Sequence, residues 1–125
     1  MSQIDNFEAM LARGQDSEML RYTLGNAYLA EKQYSDAIAH LQKAVELKPD
    51  YSAAWRQLGR ALAANEQLTD AKAAFDQGEK VAESNGDKQA AKEINIFRKR
   101  VVKAQATANA QALEKEPQKT PPDEQ

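Results

Sequence analysis

The chain has 125 residues, 42% hydrophobic and 29% charged, enough for one small domain with a modest core. It contains no cysteine, which excludes disulfides and thiolate metal sites. The net charge of −2 is uneven: residues 1–50 hold eight acids and five bases, residues 51–103 seven acids and ten bases, and residues 104–125 four acids and two bases. A basic stretch thus precedes an acidic tail, a pattern short of a nucleic-acid-binding composition.

The opening, "MSQIDNFEAMLARG", lacks the apolar run of a signal peptide, and no stretch could span a bilayer. A cytoplasmic location with no membrane partner is the expectation. Ile4, Phe7 and Leu11 fall on one helical face, which predicts a first helix over 3–12 stopped by Gly14. Asp16 or Ser17 is expected to cap a second helix over 17–31. Ser35 is expected to cap a third over 36–47, ending before Pro49. A fourth follows over 52–65. Thr69 is expected to cap a fifth over 70–84, stopped at Gly86, with Asp87 as the next cap. A sixth, over 88–105, carries Ile94, Phe97 and Val101 on one face and Lys88, Lys92, Arg98, Lys99, Arg100 and Lys103 on the others. From 106 the large apolar residues thin out to Leu113 alone, and "PQKTPPDEQ" carries three prolines, so residues 106–125 are expected to be a flexible tail.

Within this order lies a repeat. A shift of 34 residues aligns "LGNAYLAEKQYSDAIA" (24–39) with "LGRALAANEQLTDAKA" (58–73), gap-free, with eight of sixteen positions identical. Gly25 and Gly59 are twins, each inside a helix where Gly costs about 1 kcal/mol against Ala. Such a residue makes sense at a close helix crossing, and the expected partners are Ala37 and Ala71.

These residues resemble the tetratricopeptide repeat family, in the manner of small bacterial members, whose pattern is W-x2-L-G-x2-Y, then A-x3-F, then P. Repeat one, 18–51, supplies Leu24, Gly25, Tyr28, Ala37, Leu41, Ala44 and Pro49, with Arg21 in the Trp place. Repeat two, 52–85, supplies Trp55, Leu58, Gly59, Leu62, Ala71 and Phe75, and departs at Gly78 and Glu83. The resemblance implies an all-α, right-handed α-solenoid of antiparallel helix pairs. Residues 1–105 would form it, from two full repeats, a flanking N-terminal helix in the slot of an incomplete preceding repeat, and a C-terminal capping helix.

No catalytic constellation is present. His40 stands alone and reads as a solvated helical residue, and the five glycines match no phosphate-binding spacing. Asp36 and Asp70 read as first-turn acids that complement helix dipoles. No enzyme activity, metal or cofactor is expected. The resemblance places binding on the concave surface, where the inward slots hold Met19, Tyr22, Thr23 and Asn26 in repeat one and Ala53, Arg56, Gln57 and Arg60 in repeat two. Arg56 and Arg60 share a helical face and, with Tyr22, Asn26 and Gln57, suit a carboxylate and an extended peptide backbone. The expected role is an adaptor that binds a protein segment, acidic or C-terminal. Some family members hold chaperone tails with two Lys, two Asn and one Arg. Only Asn26 matches that clamp, because Tyr22, Gln57, Asp87 and Ala91 occupy the other places.

Two alternatives attach to other residues. Phe7, Met10, Ile94 or Val102 at the solenoid ends would support self-association, including a homodimer. The run "RKRVVK" (98–103) would attract phosphate, but Phe97 beside it is needed in the core, which argues against nucleic acid as the partner. The tail, with Asp123 and Glu124, could also fold back over Arg56 and Arg60 as an internal competitor.

Overall fold

The computed structural model describes residues 2–115 and holds six helices: α1 (Gln3–Ala12), α2 (Glu18–Ala30), α3 (Tyr34–Leu47), α4 (Ser52–Ala64), α5 (Leu68–Ser84) and α6 (Lys88–Lys115). Neighbours in sequence pack on one another throughout, and α2 and α6 also touch α4. The result is an α-solenoid of two hairpins, α2–α3 and α4–α5, flanked by single helices.

Turn geometry sets the hairpins. Lys32 and Glu66, 34 residues apart, both adopt left-handed backbone, with φ of 60° and 63°. In each turn the next amide reaches back to a helix carbonyl, Gln33 N–H to Tyr28 O at 2.9 Å and Gln67 N–H to Leu62 O at 2.9 Å. This closure satisfies orphan carbonyls at the end of α2 and α4. It also moves the next helix forward: α3 begins at Tyr34 and α5 at Leu68, after Gln33 and Gln67, which make no side-chain cap. Ser35 and Thr69 therefore sit inside the first turn and are not the expected caps. Ser17 and Asp87 do cap, bonding the amides of Leu20 at 3.1 Å and Ala90 at 3.0 Å. Gly14 and Gly86 end α1 and α5 with φ of 84° and 73°.

The twin glycines do mark close crossings, but with different partners from those expected. A Cβ on Gly25 would lie 2.7 Å from Leu41 Cδ2, and one on Gly59 would lie 2.6 Å from Phe75 Cζ. The large residue of the A-x3-F element fills the space, four residues beyond the expected alanine. Ala37 and Ala71 are fully buried beside it. Gly78, a departure from the repeat, has its own reason: a Cβ there would lie 2.9 Å from Trp55 Cβ. Trp55 in turn donates its indole N–H to Pro49 O at 2.8 Å, joining the repeats.

The core runs from Leu20 and Leu24 through Leu41, Leu58 and Phe75 to Ala90, Ile94 and Val101 of α6. Ile94 is fully buried, so it is not the exposed end residue that the sequence suggests. By contrast, α1 has no buried residue. α6 continues past 105 to Lys115, where the sequence reading has a tail; residues 116–125 lie outside the described part. Ala104, Ala106, Ala108, Ala110 and Ala112 carry the helix onward by propensity, because nearly every residue from Val102 to Glu114 is exposed.

Candidate functional site

The first helices of the two hairpins bring three of the expected residues into one line. Gln57 Nε2 donates to Asn26 Oδ1 at 2.8 Å, and Arg60 Nη1 donates to Gln57 Oε1 at 3.1 Å. Among the described residues Gln57 is the one buried polar residue, and both its amide nitrogen and its oxygen are bonded, as burial demands. The line tethers the guanidinium of Arg60, an exposed residue, to α4.

Arg56 and Tyr22 behave differently. Arg56 Nη1 bonds Glu93 Oε1 of α6 at 2.9 Å, with Gln89 donating to the other oxygen of Glu93 at 3.3 Å. It is therefore not a free seat for a carboxylate. Tyr22 packs on Tyr51 with ring centroids 5.0 Å apart, and burial pushes the Tyr51 phenol up.

The structure adds residues from α6 that the sequence reading sets aside. Phe97 is half-buried on the core, 6.0 Å from the Phe75 ring. Two guanidinium groups lie against its ring, Arg60 at 5.0 Å and Arg100 at 5.4 Å from the centroid. Each cation–π contact contributes about 0.5–1 kcal/mol at an exposed site. Arg56, Arg60, Glu93, Ile96, Phe97 and Arg100 line an open cleft of about 410 Å³. Arg60, Phe97 and Arg100 also border a smaller apolar notch of about 170 Å³ with Ala63, Phe75 and Val101. Ile96 is 51% exposed at the rim. Among the described residues neither Arg60 nor Arg100 has a carboxylate partner. The signal for this pair was the Phe97–Arg100 spacing of three, which puts ring and cation on one helix face.

The basic run is not one cationic surface. Arg98 turns to α5, where it bonds Glu79 and, at 3.3 Å, Asp76. Asp76 also accepts from Lys72 at 2.8 Å, and these bonds, Lys72 first, hold its carboxyl below the usual range. Arg100 belongs to the cleft.

His40 is not the solvated residue expected. Its side chain is 12% exposed, stacked on Tyr28 with rings 5.4 Å apart, and its Nδ1 lies 3.2 Å from Arg21 Nη1. Its Nε2 lies 3.4 Å from Glu8 of α1. Tyr28 O–H donates to the same Glu8 at 2.5 Å, and that bond, with burial, pushes the phenol up to about 12. Arg21 forks onto Asp16 at 2.8 and 3.0 Å. This network fastens α1 to the first hairpin. No group of three or more acids and His among the described residues could hold a metal, and no described helix is long and apolar enough to cross a membrane.

Stacked antiparallel hairpins with a glycine at each crossing define a helical-repeat solenoid. The chain belongs to the tetratricopeptide repeat family, whose sequence profile matches residues 28–93. It is 43% identical over 101 residues to a TPR repeat-containing protein of Pseudomonas aeruginosa, covering 81% of this chain and 96% of that one. The solution structure of a Bordetella parapertussis protein superposes with a TM-score of 0.75 at 35% identity, over 88% of this chain and 96% of that one. A Heat shock protein sti1 homolog of Schizosaccharomyces pombe is 32% identical over 75 residues, 60% of this chain and 13% of that protein. Repeats of this family mediate protein–protein interaction, and the family is a non-catalytic fold.

Proposed function

We propose that the protein is a non-catalytic adaptor whose concave surface binds an extended, acidic segment of a partner protein. The observation that carries this reading is the pair of guanidinium groups, Arg60 and Arg100, held on one aromatic ring with no carboxylate of their own among the described residues. Arginine forks take carboxylates bidentately. In the line Asn26–Gln57–Arg60 the Asn26 carbonyl oxygen is taken by buried Gln57, which leaves the Asn26 amide N–H groups to meet a peptide backbone. Ile96 and Phe97 give an apolar side chain somewhere to rest. Arg56 contributes charge to the rim but is committed to Glu93, and Tyr22 shapes the far end through Tyr51.

Titration of acidic-ended peptides by calorimetry tests the reading. Arg60→Glu/Arg100→Glu is expected to weaken binding by more than about tenfold, the scale of a hot-spot residue. Arg56→Glu alone is expected to have a smaller effect, because Glu93 already neutralises Arg56. Equal affinity for wild type and the Arg60/Arg100 variant removes the proposal, as does a preference for random DNA with steep salt dependence.

A further inference from the structure

We infer that the same cleft is the seat of the chain's own 116–125 segment, EPQKTPPDEQ, whose Asp123 and Glu124 meet Arg100 and Arg60. This inference rests on the acidic-segment reading above and adds a built-in competitor to it.

Charge complementarity is the first support. The segment carries Glu116, Asp123 and Glu124 against Lys119 alone. The cleft offers two guanidinium groups that no described carboxylate neutralises, both against the Phe97 ring. Arg56, by contrast, is taken by Glu93, which steers the acids toward the Arg60–Arg100 pair. The seat therefore centres on Arg60 of α4 and Arg100 of α6 rather than on Arg56.

Reach is the second. α6 runs unbroken to Lys115. Arg100 lies fifteen residues before that point, about 22 Å at the rise of an α-helix. Asp123 lies eight residues after it, and eight residues of extended, proline-compatible chain span about 25 Å. A segment running back along α6 thus brings its acids to Arg100 with little slack. A shorter α6, ending near 105, would leave the segment far too long to be positioned this way. Pro117, Pro121 and Pro122 reduce the freedom that docking must remove, because proline fixes φ. Tethering then makes a weak contact effective, since a short linker gives millimolar local concentration.

The full chain lacks cysteine, so Gln125→Cys takes a single nitroxide. Paramagnetic broadening is read at the Phe97 ring and the Arg100 Nε–H resonance. Strong broadening is expected, falling several-fold in Arg60→Gln/Arg100→Gln, in Asp123→Asn/Glu124→Gln, and near 1 M salt, where the screening length is about 3 Å. Broadening that is absent, or that ignores both pairs of substitutions, overturns the inference. Broadening carried from spin-labelled chains to separate isotope-labelled chains, and lost on dilution, assigns the segment to a second copy and overturns docking within one chain. In the peptide titration, Asp123→Asn/Glu124→Gln is expected to tighten the acidic peptide several-fold; unchanged affinity overturns the competition alone. If no peptide binds while the broadening behaves as expected, the partner reading fails and the internal seat stands.

Discussion

The two hairpins share one frame and fill it differently. In both, a glycine on the first helix receives the large residue of the second, Leu41 under Gly25 and Phe75 under Gly59. The Trp place separates them. Repeat two has Trp55, which packs so tightly that Gly78 must lack a side chain and whose indole binds Pro49 O. Repeat one has Arg21, which joins Asp16 and His40 in a polar network, and its counterpart of Gly78 is Ala44. The difference follows what each hairpin faces. Repeat two abuts a helix that buries Ala90, Ile94 and Val101, whereas repeat one abuts α1, which buries nothing fully and is held by Glu8. Apolar filling suits an interior contact, and charge pairing suits a lightly packed end.

The most severe test of the shared frame fills both crossings. Gly25→Leu/Gly59→Leu is expected to abolish cooperative folding in urea: each overpacking costs about 1–3 kcal/mol or more, a large part of the stability of a small domain. Singly, Gly59→Leu should be the worse, because a phenyl ring yields less than the flexible end of leucine.

Next comes the Trp place. Trp55→Ala is expected to destabilise by about 2–4 kcal/mol through lost packing and the lost Pro49 bond. Arg21→Ala should cost less than about 1 kcal/mol, as partly exposed ion pairs do. Urea midpoints of equal size for the two would erase the distinction between the hairpins.

The pH dependence distinguishes the ends. The Tyr28 phenol is raised from 10.0 to about 12, so its contribution is complete below pH 10 and is lost as pH rises through 12. Amide exchange in α1 is expected to accelerate over that window, and Tyr28→Phe should show the faster exchange already at neutral pH. The Asp76 carboxyl is lowered from 3.8, so its contribution to the α5–α6 contact is present above that value and disappears as pH falls through the lower folded value. Acid titration of wild type against Asp76→Asn checks this.

The smallest effect concerns the turns. Glu66→Gly is expected to stabilise by up to about 1 kcal/mol, because left-handed backbone is costly for residues with a Cβ. A lower melting temperature would show that Glu66 makes a contact worth more than its strain.

Periodicity made the frame legible. The 34-residue shift located both hairpins, and the boundaries of α1 to α5 fell within a few residues because Gly14, Gly86 and Pro49 punctuate the chain, whereas α6 runs ten residues past its expected end. What escaped were properties set by three-dimensional neighbours. Ser35 and Thr69 have cap chemistry, but the left-handed turns at Lys32 and Glu66 start the helices before them. Ala37 and Ala71 seemed the partners of the glycines because small residues suggest close approach, whereas a glycine also makes room for something large. His40 looked isolated because Glu8, Arg21 and Tyr28 lie 12 to 32 positions away. The cleft was half visible: Arg56 and Arg60 come from the inward slots, but Arg100 and Phe97 come from a helix outside the repeat, where no slot pattern applies.

The outer half of α6 has an optical consequence. Residues 102–114 contribute helical ellipticity while nearly all exposed, Gln105 bonding Thr69 at 3.2 Å being the exception, and a lightly supported helix of that length is marginal in water. It loses helicity with heating before the packed hairpins and independently of them. Far-ultraviolet ellipticity therefore declines well before the indole of Trp55 changes its fluorescence, and a melting curve fitted to ellipticity alone understates the cooperativity of the domain.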